Sequence, residues 1–217
     1  MVNYMENFDF KKYTENKTNC ISPCPDQYFA NLENGSLIEK NREDIIYNKD
    51  KKATLVNGTI LNNIIAIVLE SPHTNEFDNN GLPIGPAMGV TGKRFIREKK
   101  GFIDFISSSS VKYILKGNYK LVYVNSIQYQ TSLGKKLSEI NNKITRDDIW
   151  ISIFEEHGGK VDLKKRLNAL NPVLIINLCT KGLKNLQLYV NNEIKTLSKY
   201  TFGTHPSTWN FSYAYIK

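Results

Sequence analysis

The chain has 217 residues, 41% of them hydrophobic, with 29 Lys plus Arg against 21 Asp plus Glu and a formal net charge of +8. That much apolar material supports one sizeable core and excludes a chain disordered throughout, while no apolar run approaches the roughly 20 residues needed to span a bilayer. Three cysteines cannot build a disulfide framework and the polar start carries no hydrophobic signal core, so a cytoplasmic protein is expected, its excess positive charge pointing to a polyanionic partner such as nucleic acid.

The first sixty residues are rich in Asn, Lys and Asp, with aromatics at no clear period and tandem turn signals at Ser22-Pro23 and Cys24-Pro25. They read as an irregular arm over residues 1–60, packed on a domain spanning 61–217. Ile64 to Leu69 is a continuous β-branched run of the kind found in a strand buried on both faces. Lys93 to Ser107 has helical apolar spacing. Leu121 to Val124 and Val173 to Leu178 repeat the buried-strand pattern. Between them Thr145 is a candidate N-cap for a helix stopped by Gly158-Gly159, and Leu163 to Leu170 is a second helix ending before Asn171-Pro172. A helix over Gly182 to Val190 and a short strand, Tyr200 to Phe202, complete the series. Strands alternating with helices predict an α/β fold, a three-layer α/β/α sandwich around a central, mainly parallel four-stranded sheet.

In such sheets ligands bind in the crevice beyond the carboxyl ends of the strands. Glu70-Ser71-Pro72-His73 follows the first buried strand, with Glu76, Asp78, Gly81-Leu82-Pro83-Ile84 and Gly85-Pro86-Ala87-Met88-Gly89 close behind. Asn125 follows the second, and His205-Pro206-Ser207 follows Tyr200 to Phe202. A carboxylate, an amide and an imidazole thus stand at three separate strand ends, which parallel pairing would bring to one crevice.

These pieces, in this order, resemble the uracil-DNA glycosylase superfamily over about residues 64 to 211. The order and spacing are most similar to the branch whose first motif is Gly-Glu-Ala-Pro-Gly followed by Gly-x-Pro-Phe, and His205-Pro206-Ser207 matches the superfamily's second motif. The resemblance implies a monofunctional DNA glycosylase, acting as a monomer, that cleaves the bond between a flipped-out base and its deoxyribose. A catalytically silent DNA-binding member and a nucleoside hydrolase are the competing readings.

On that resemblance Glu70 takes the acidic motif position, steering water or supporting the sugar cation, or else capping the next turn. Asp78 and Glu76 are alternative bases. Asn125 matches the residue that reads the base edge, unless it serves a turn. His205 matches the donor to the base oxygen. Trp209 and Phe211 fall where the family places a minor-groove wedge, with core packing as the other reading; Ser207 belongs to that motif, and Lys93 and Arg94 could hold phosphate. Several positions depart from the pattern. Ser71 stands where the best-known members carry Asp, His73 replaces a Gly or Tyr after Pro72, and Ile84, before Gly85, stands in place of the Phe that stacks on uracil. An altered pocket accepting uracil or a modified pyrimidine is expected. Cys20 and Cys24 resemble the iron-sulfur cysteines at wider spacing, but with only Cys179 besides, no metal is expected. The absence of a dinucleotide fingerprint or phosphate loop predicts no cofactor.

Overall fold

The computed structural model describes residues 22–48, 52–97, 99–129, 131, 146–197, 199–203 and 205–206. Seven strands, β1 (Gln27–Glu33), β2 (Ser36–Tyr47), β3 (Ala53–Leu55), β4 (Ile64–Leu69), β5 (Asn118–Asn125), β6 (Leu174–Asn177) and β7 (Tyr200–Phe202), join in one sheet of order β3-β2-β1-β5-β4-β6-β7. Strands β5, β4, β6 and β7 pair in parallel, whereas β1 lies antiparallel on β5, β2 on β1 and β3 on β2.

The sheet is therefore mixed and seven-stranded, not the four-stranded, mainly parallel sheet the sequence suggests. β1, β2 and β3 do not form an irregular arm either; they extend the sheet that the later strands begin, so the expected boundary at residue 60 cuts through it. The reason lies in a turn and in exposure. Asn34 and Gly35 adopt φ of 47° and 79°, the left-handed pair that closes a two-residue hairpin between β1 and β2. Along β2 most side chains are exposed or half-exposed, so its polar residues carry no alternating apolar signal. A bulge between Tyr28 and Ala30 further breaks the alternation of β1.

Among the described residues five α-helices cover the sheet: α1 (Val90–Arg97), α2 (Lys99–Ser108), α3 (Arg146–Ile151), α4 (Gly159–Leu170) and α5 (Leu186–Ile194). Because successive strand residues point to opposite faces, Ile64, Ala66 and Val68 of β4 pack with Ile149 and Trp150 of α3, Leu163 and Leu167 of α4 and Val190 of α5. Ile65, Ile67 and Leu69 face the other way, onto Phe95 of α1 and Phe102, Phe105 and Ile106 of α2. All six β4 side chains are buried. Each buried Ile, Leu or Val contributes about 1.5–3 kcal/mol of gross transfer free energy, which makes β4 the anchor of both cores. The end of α4 is as expected from Asn171-Pro172: Asn171 takes the left-handed conformation and its N–H caps the Leu167 carbonyl. Among the described residues no helix is long and apolar enough to cross a membrane.

Candidate functional site

Chain order β4, β5, β6, β7 maps onto the sheet as β5-β4-β6-β7, so the connections leave β4 toward opposite sides. This creates a switch point at the carboxyl ends of β4 and its neighbours, the position at which open α/β sheets form a crevice. A cavity of about 270 Å³ lies there, lined by Leu69, Glu70, Ser71, Pro72, His73, Asn75, Glu76, Gly89, Val90, Thr91, Asn125, Arg146, Thr180 and His205. Glu70, Asn125 and His205, which stand 55 and 80 positions apart along the chain, therefore share one hollow.

Glu70 is held from every side. Its backbone carbonyl accepts from the Ile127 N–H at 3.2 Å, from the Trp150 indole at 3.2 Å and from the Ser126 hydroxyl. Its Oε1 lies 3.3 Å from Arg146 Nη1, and its Oε2 accepts from the Thr180 hydroxyl. Burial pushes the carboxyl up, while Arg146 and Thr180 favour its charged form. Arg146 is itself fixed: its Nε and Nη2 donate to Asp147 Oδ1 at 3.0 and 2.7 Å, and Asp147 Oδ2 accepts from the N–H groups of Leu183 and Lys184.

Asn125 ends β5, and its backbone is clamped by a buried ion pair. Arg166 on α4 donates through Nη1 to Asp26 Oδ1 and Oδ2 at 3.0 and 2.8 Å and through Nη2 to the Asn125 carbonyl at 2.9 Å. Asp26 Oδ1 accepts from the Asn125 N–H at 3.3 Å, and the Tyr47 hydroxyl donates to Asp26 Oδ2 at 2.5 Å. With its main chain tied on both sides, the Asn125 side chain is 1% exposed, and neither Oδ1 nor Nδ2 has a hydrogen-bond partner. A buried polar atom left unmatched costs about 1–3 kcal/mol, a penalty that a ligand with the complementary edge relieves.

Glu76 also lines the hollow while buried. Its Oε1 accepts from the Ala87 N–H at 2.8 Å, whereas Oε2 has no partner. Burial pushes its pKa up to about 8, against the pull of the Ala87 N–H, the nearby Asn125 amide, the His73 backbone and Arg42. Asn125 is close enough to favour the charged form yet outside hydrogen-bonding geometry. The loop that presents Ala87 is fastened by the N-terminal strands. Arg42 of β2 donates to the carbonyls of Pro86 and Ala87, and Gln27 of β1 donates to the Ile84 carbonyl at 3.2 Å.

His205, half-buried in the same hollow, is held neutral: burial first and the Arg146 charge second lower its pKa to about 4. Ser71 Oγ is paired with Thr131 Oγ1 at 2.7 Å. Pro72 and His73 line the cavity; His73 is exposed, and its Nδ1 accepts from the Asn75 N–H at 3.5 Å.

Other sequence candidates lie elsewhere. Asp78 is exposed and outside the cavity lining; its Oδ1 accepts from the N–H groups of Asn80 and Leu82 at 2.8 Å, so it builds the loop's turn. Ile84 is 44% exposed and does not line the hollow, so it does not take the stacking position assigned to it. Gly85, at φ +129°, presses against the Gln27 side chain. Lys93 and Arg94 lie on α1 outside the cavity lining. Ser207, Trp209 and Phe211, with Thr145 and Cys20, fall outside the described residues. Among the described residues no group of three or more His, Cys, Asp or Glu is placed to hold a metal, and Cys24 and Cys179 are buried thiols whose pKa burial pushes up.

The sequence did not single out Arg146 and Thr180. Thr180 stands just beyond β6, and the strand-end rule that selects Glu70 and Asn125 selects it equally. Arg146 leaves no comparable signal, because only the folded chain brings the start of α3 beside Glu70. Chemically, the hollow offers a carboxylate paired with a guanidinium, a neutral imidazole, a second carboxyl and an unmatched amide. That set suits a small planar ligand with a hydrogen-bonding edge. Comparison with protein-family models, with curated proteins and with solved structures finds no match for this chain.

Proposed function

We propose that the chain is a DNA N-glycosylase that hydrolyses the bond between a flipped-out damaged or modified base, uracil or a modified pyrimidine, and its deoxyribose. The observation that carries this reading is the meeting of Glu70, the unmatched Asn125 amide and the neutral His205 in one cavity at the ends of parallel strands. The net charge of +8 supports a phosphate backbone as partner.

In the reaction the C1′–N bond breaks, the bonding pair leaves with the base, and the sugar becomes a cation that water then captures. Asn125 donates to and accepts from the base edge, fixing the base in the hollow. His205, neutral at pH 7, donates an N–H to the base oxygen as negative charge grows there. The Arg146 charge strengthens that effect in a site shielded from water. Glu70, kept in place by Arg146 and Thr180, offsets the sugar's positive charge. Water adds to C1′, and the proton it releases passes to the departing base anion, leaving a neutral free base and an abasic site. DNA is the proposed partner, bound by a monomer.

One feature favours a second reading, a silent DNA-binding protein: Ser71 Oγ is occupied by Thr131, and both Glu70 oxygens are engaged, so neither of these two motif-position side chains stands free to activate water. Oligonucleotides carrying a panel of modified pyrimidines, treated with alkali after incubation, separate the two. Strand breaks at the modified position that fall at least 100-fold in folded Asn125→Ala and His205→Ala variants support the glycosylase. Salt-sensitive binding with no breaks supports the silent protein.

A further inference from the structure

We propose that Glu76 is a specificity-determining residue that reads the base alongside Asn125, its Oε2 adding a third hydrogen-bonding atom to the recognition edge at the floor of the hollow. The inference rests on the base-binding reading of the same site and assigns a residue which that reading does not use. Three atoms of two neighbouring side chains, Glu76 Oε2, Asn125 Oδ1 and Asn125 Nδ2, are buried, make no hydrogen bond of ordinary geometry with the protein although the Asn125 amide lies beside the Glu76 carboxyl, and belong to residues that line one cavity. Glu76 Oε1 is committed to the Ala87 N–H, which orients the carboxyl and leaves Oε2 for a ligand.

Counting donors and acceptors gives the preference. In its acid form Glu76 donates through Oε2, so with Asn125 the floor offers two donors and one acceptor. The matching edge carries two acceptors and one donor, as in uracil or cytosine. In its carboxylate form the count inverts to one donor and two acceptors, which matches guanine instead. The acid form is favoured near neutrality because Glu76 is buried. The charged and titratable groups around it are Arg42 from β2, Tyr123 from β5 and Cys24 before β1, with Glu70, His73, Arg146 and His205 lining the same hollow. Arg42 and Arg146 are the cations among them, and burial raises Tyr123 and Cys24, so that both are neutral near pH 7.

The test uses the full chain and an oligonucleotide in which one 2′-fluoro nucleotide, bearing uracil, cytosine or guanine, sits within a tract of abasic spacers; the spacer tract alone is the control. Glu76→Gln keeps an acceptor for Ala87 and a permanent donor at the Oε2 position, so it mimics the acid form and preserves the fold. Expected for the wild type is affinity for the cytosine oligonucleotide, whose base does not titrate in this range, that falls at least tenfold between pH 6.5 and pH 9.5. Glu76→Gln keeps that affinity at both pH values, and Glu76→Ala loses it at both. Identical pH profiles for wild type and Glu76→Gln overturn the assignment, as does a Glu76→Ala variant that binds like wild type, or binding that ignores the base. Base-dependent, pH-sensitive binding without strand breaks on modified DNA upholds Glu76 and refutes the glycosylase; strand breaks with unaltered pH behaviour in Glu76→Gln do the reverse.

Discussion

Replacing Asp26 with Ala strikes the element that holds Asn125 in place. Arg166 is 4% exposed at its side chain and Asp26 wholly buried, so water cannot screen what is left behind. The substitution strands a guanidinium in the core, removes the acceptor for the Asn125 N–H and leaves the Tyr47 hydroxyl without its partner. Breaking one side of a buried ion pair costs about 3–5 kcal/mol, because the surviving charge keeps its desolvation penalty and loses its compensation. For a chain of this size each kcal/mol shifts the melting temperature by roughly 2–4 °C, so Tm falls by roughly 6–20 °C. Denaturant titration of Asp26→Ala, Arg166→Met and the double variant measures the coupling. The double variant loses less than the sum of the singles, since it leaves no orphan charge. A loss below about 1 kcal/mol in Asp26→Ala, or strict additivity, refutes the reasoning.

Four further outcomes follow from the site and the loop beside it. Arg146→Ala raises the His205 titration midpoint, now about 4, but leaves it below the ordinary imidazole value because burial is the larger cause; NMR of the imidazole protons reads it, and an unmoved midpoint contradicts the placement. That depressed pKa also means His205 contributes stability that is present above about pH 6.5 and lost as pH falls toward about 4, a limb that His205→Gln flattens in a pH series of melting curves. Glu76 has the opposite sign: its pKa rises from 4.5 to about 8 on folding, so its contribution is complete below about pH 4.5 and disappears as pH climbs through about 8, and Glu76→Gln removes that slope. Gly85→Ala forces a side chain onto φ +129°, with its Cβ 2.1 Å from Gln27 Oε1, and destabilises by about 1–3 kcal/mol, read as a lower denaturation midpoint at unchanged slope.

The part of the fold visible in the sequence is the part buried on both faces. Ile64–Leu69 has no polar residue to confuse its reading, and the Asn171-Pro172 stop works through local chemistry alone. What escapes notice is the half-exposed N-terminal sheet, whose one strong local cue, Asn34-Gly35, sits between Leu32 and Leu37 within a polar stretch that carries no alternating apolar pattern. The site divides the same way. Glu70 and Asn125 are legible because strand ends converge by topology, whereas Arg146 and the supporting pair Asp26–Arg166 depend on contacts across 76 and 140 positions that no local pattern records. Asp78 and Glu76 show the limit most sharply. Two residues apart in one loop, they are equivalent as letters, yet one closes an exposed turn and the other is buried against Ala87.

The Asn125 side-chain amide, resolved by ¹⁵N NMR, gives the most direct view of whether the hollow takes a nucleobase. Titration with a duplex carrying one modified pyrimidine on a cleavage-resistant 2′-fluoro sugar moves this signal and protects it from solvent exchange, and an unmodified duplex of the same sequence leaves it in place. If the modified duplex binds while the Asn125 amide stays where it was, the cavity is not where the base goes.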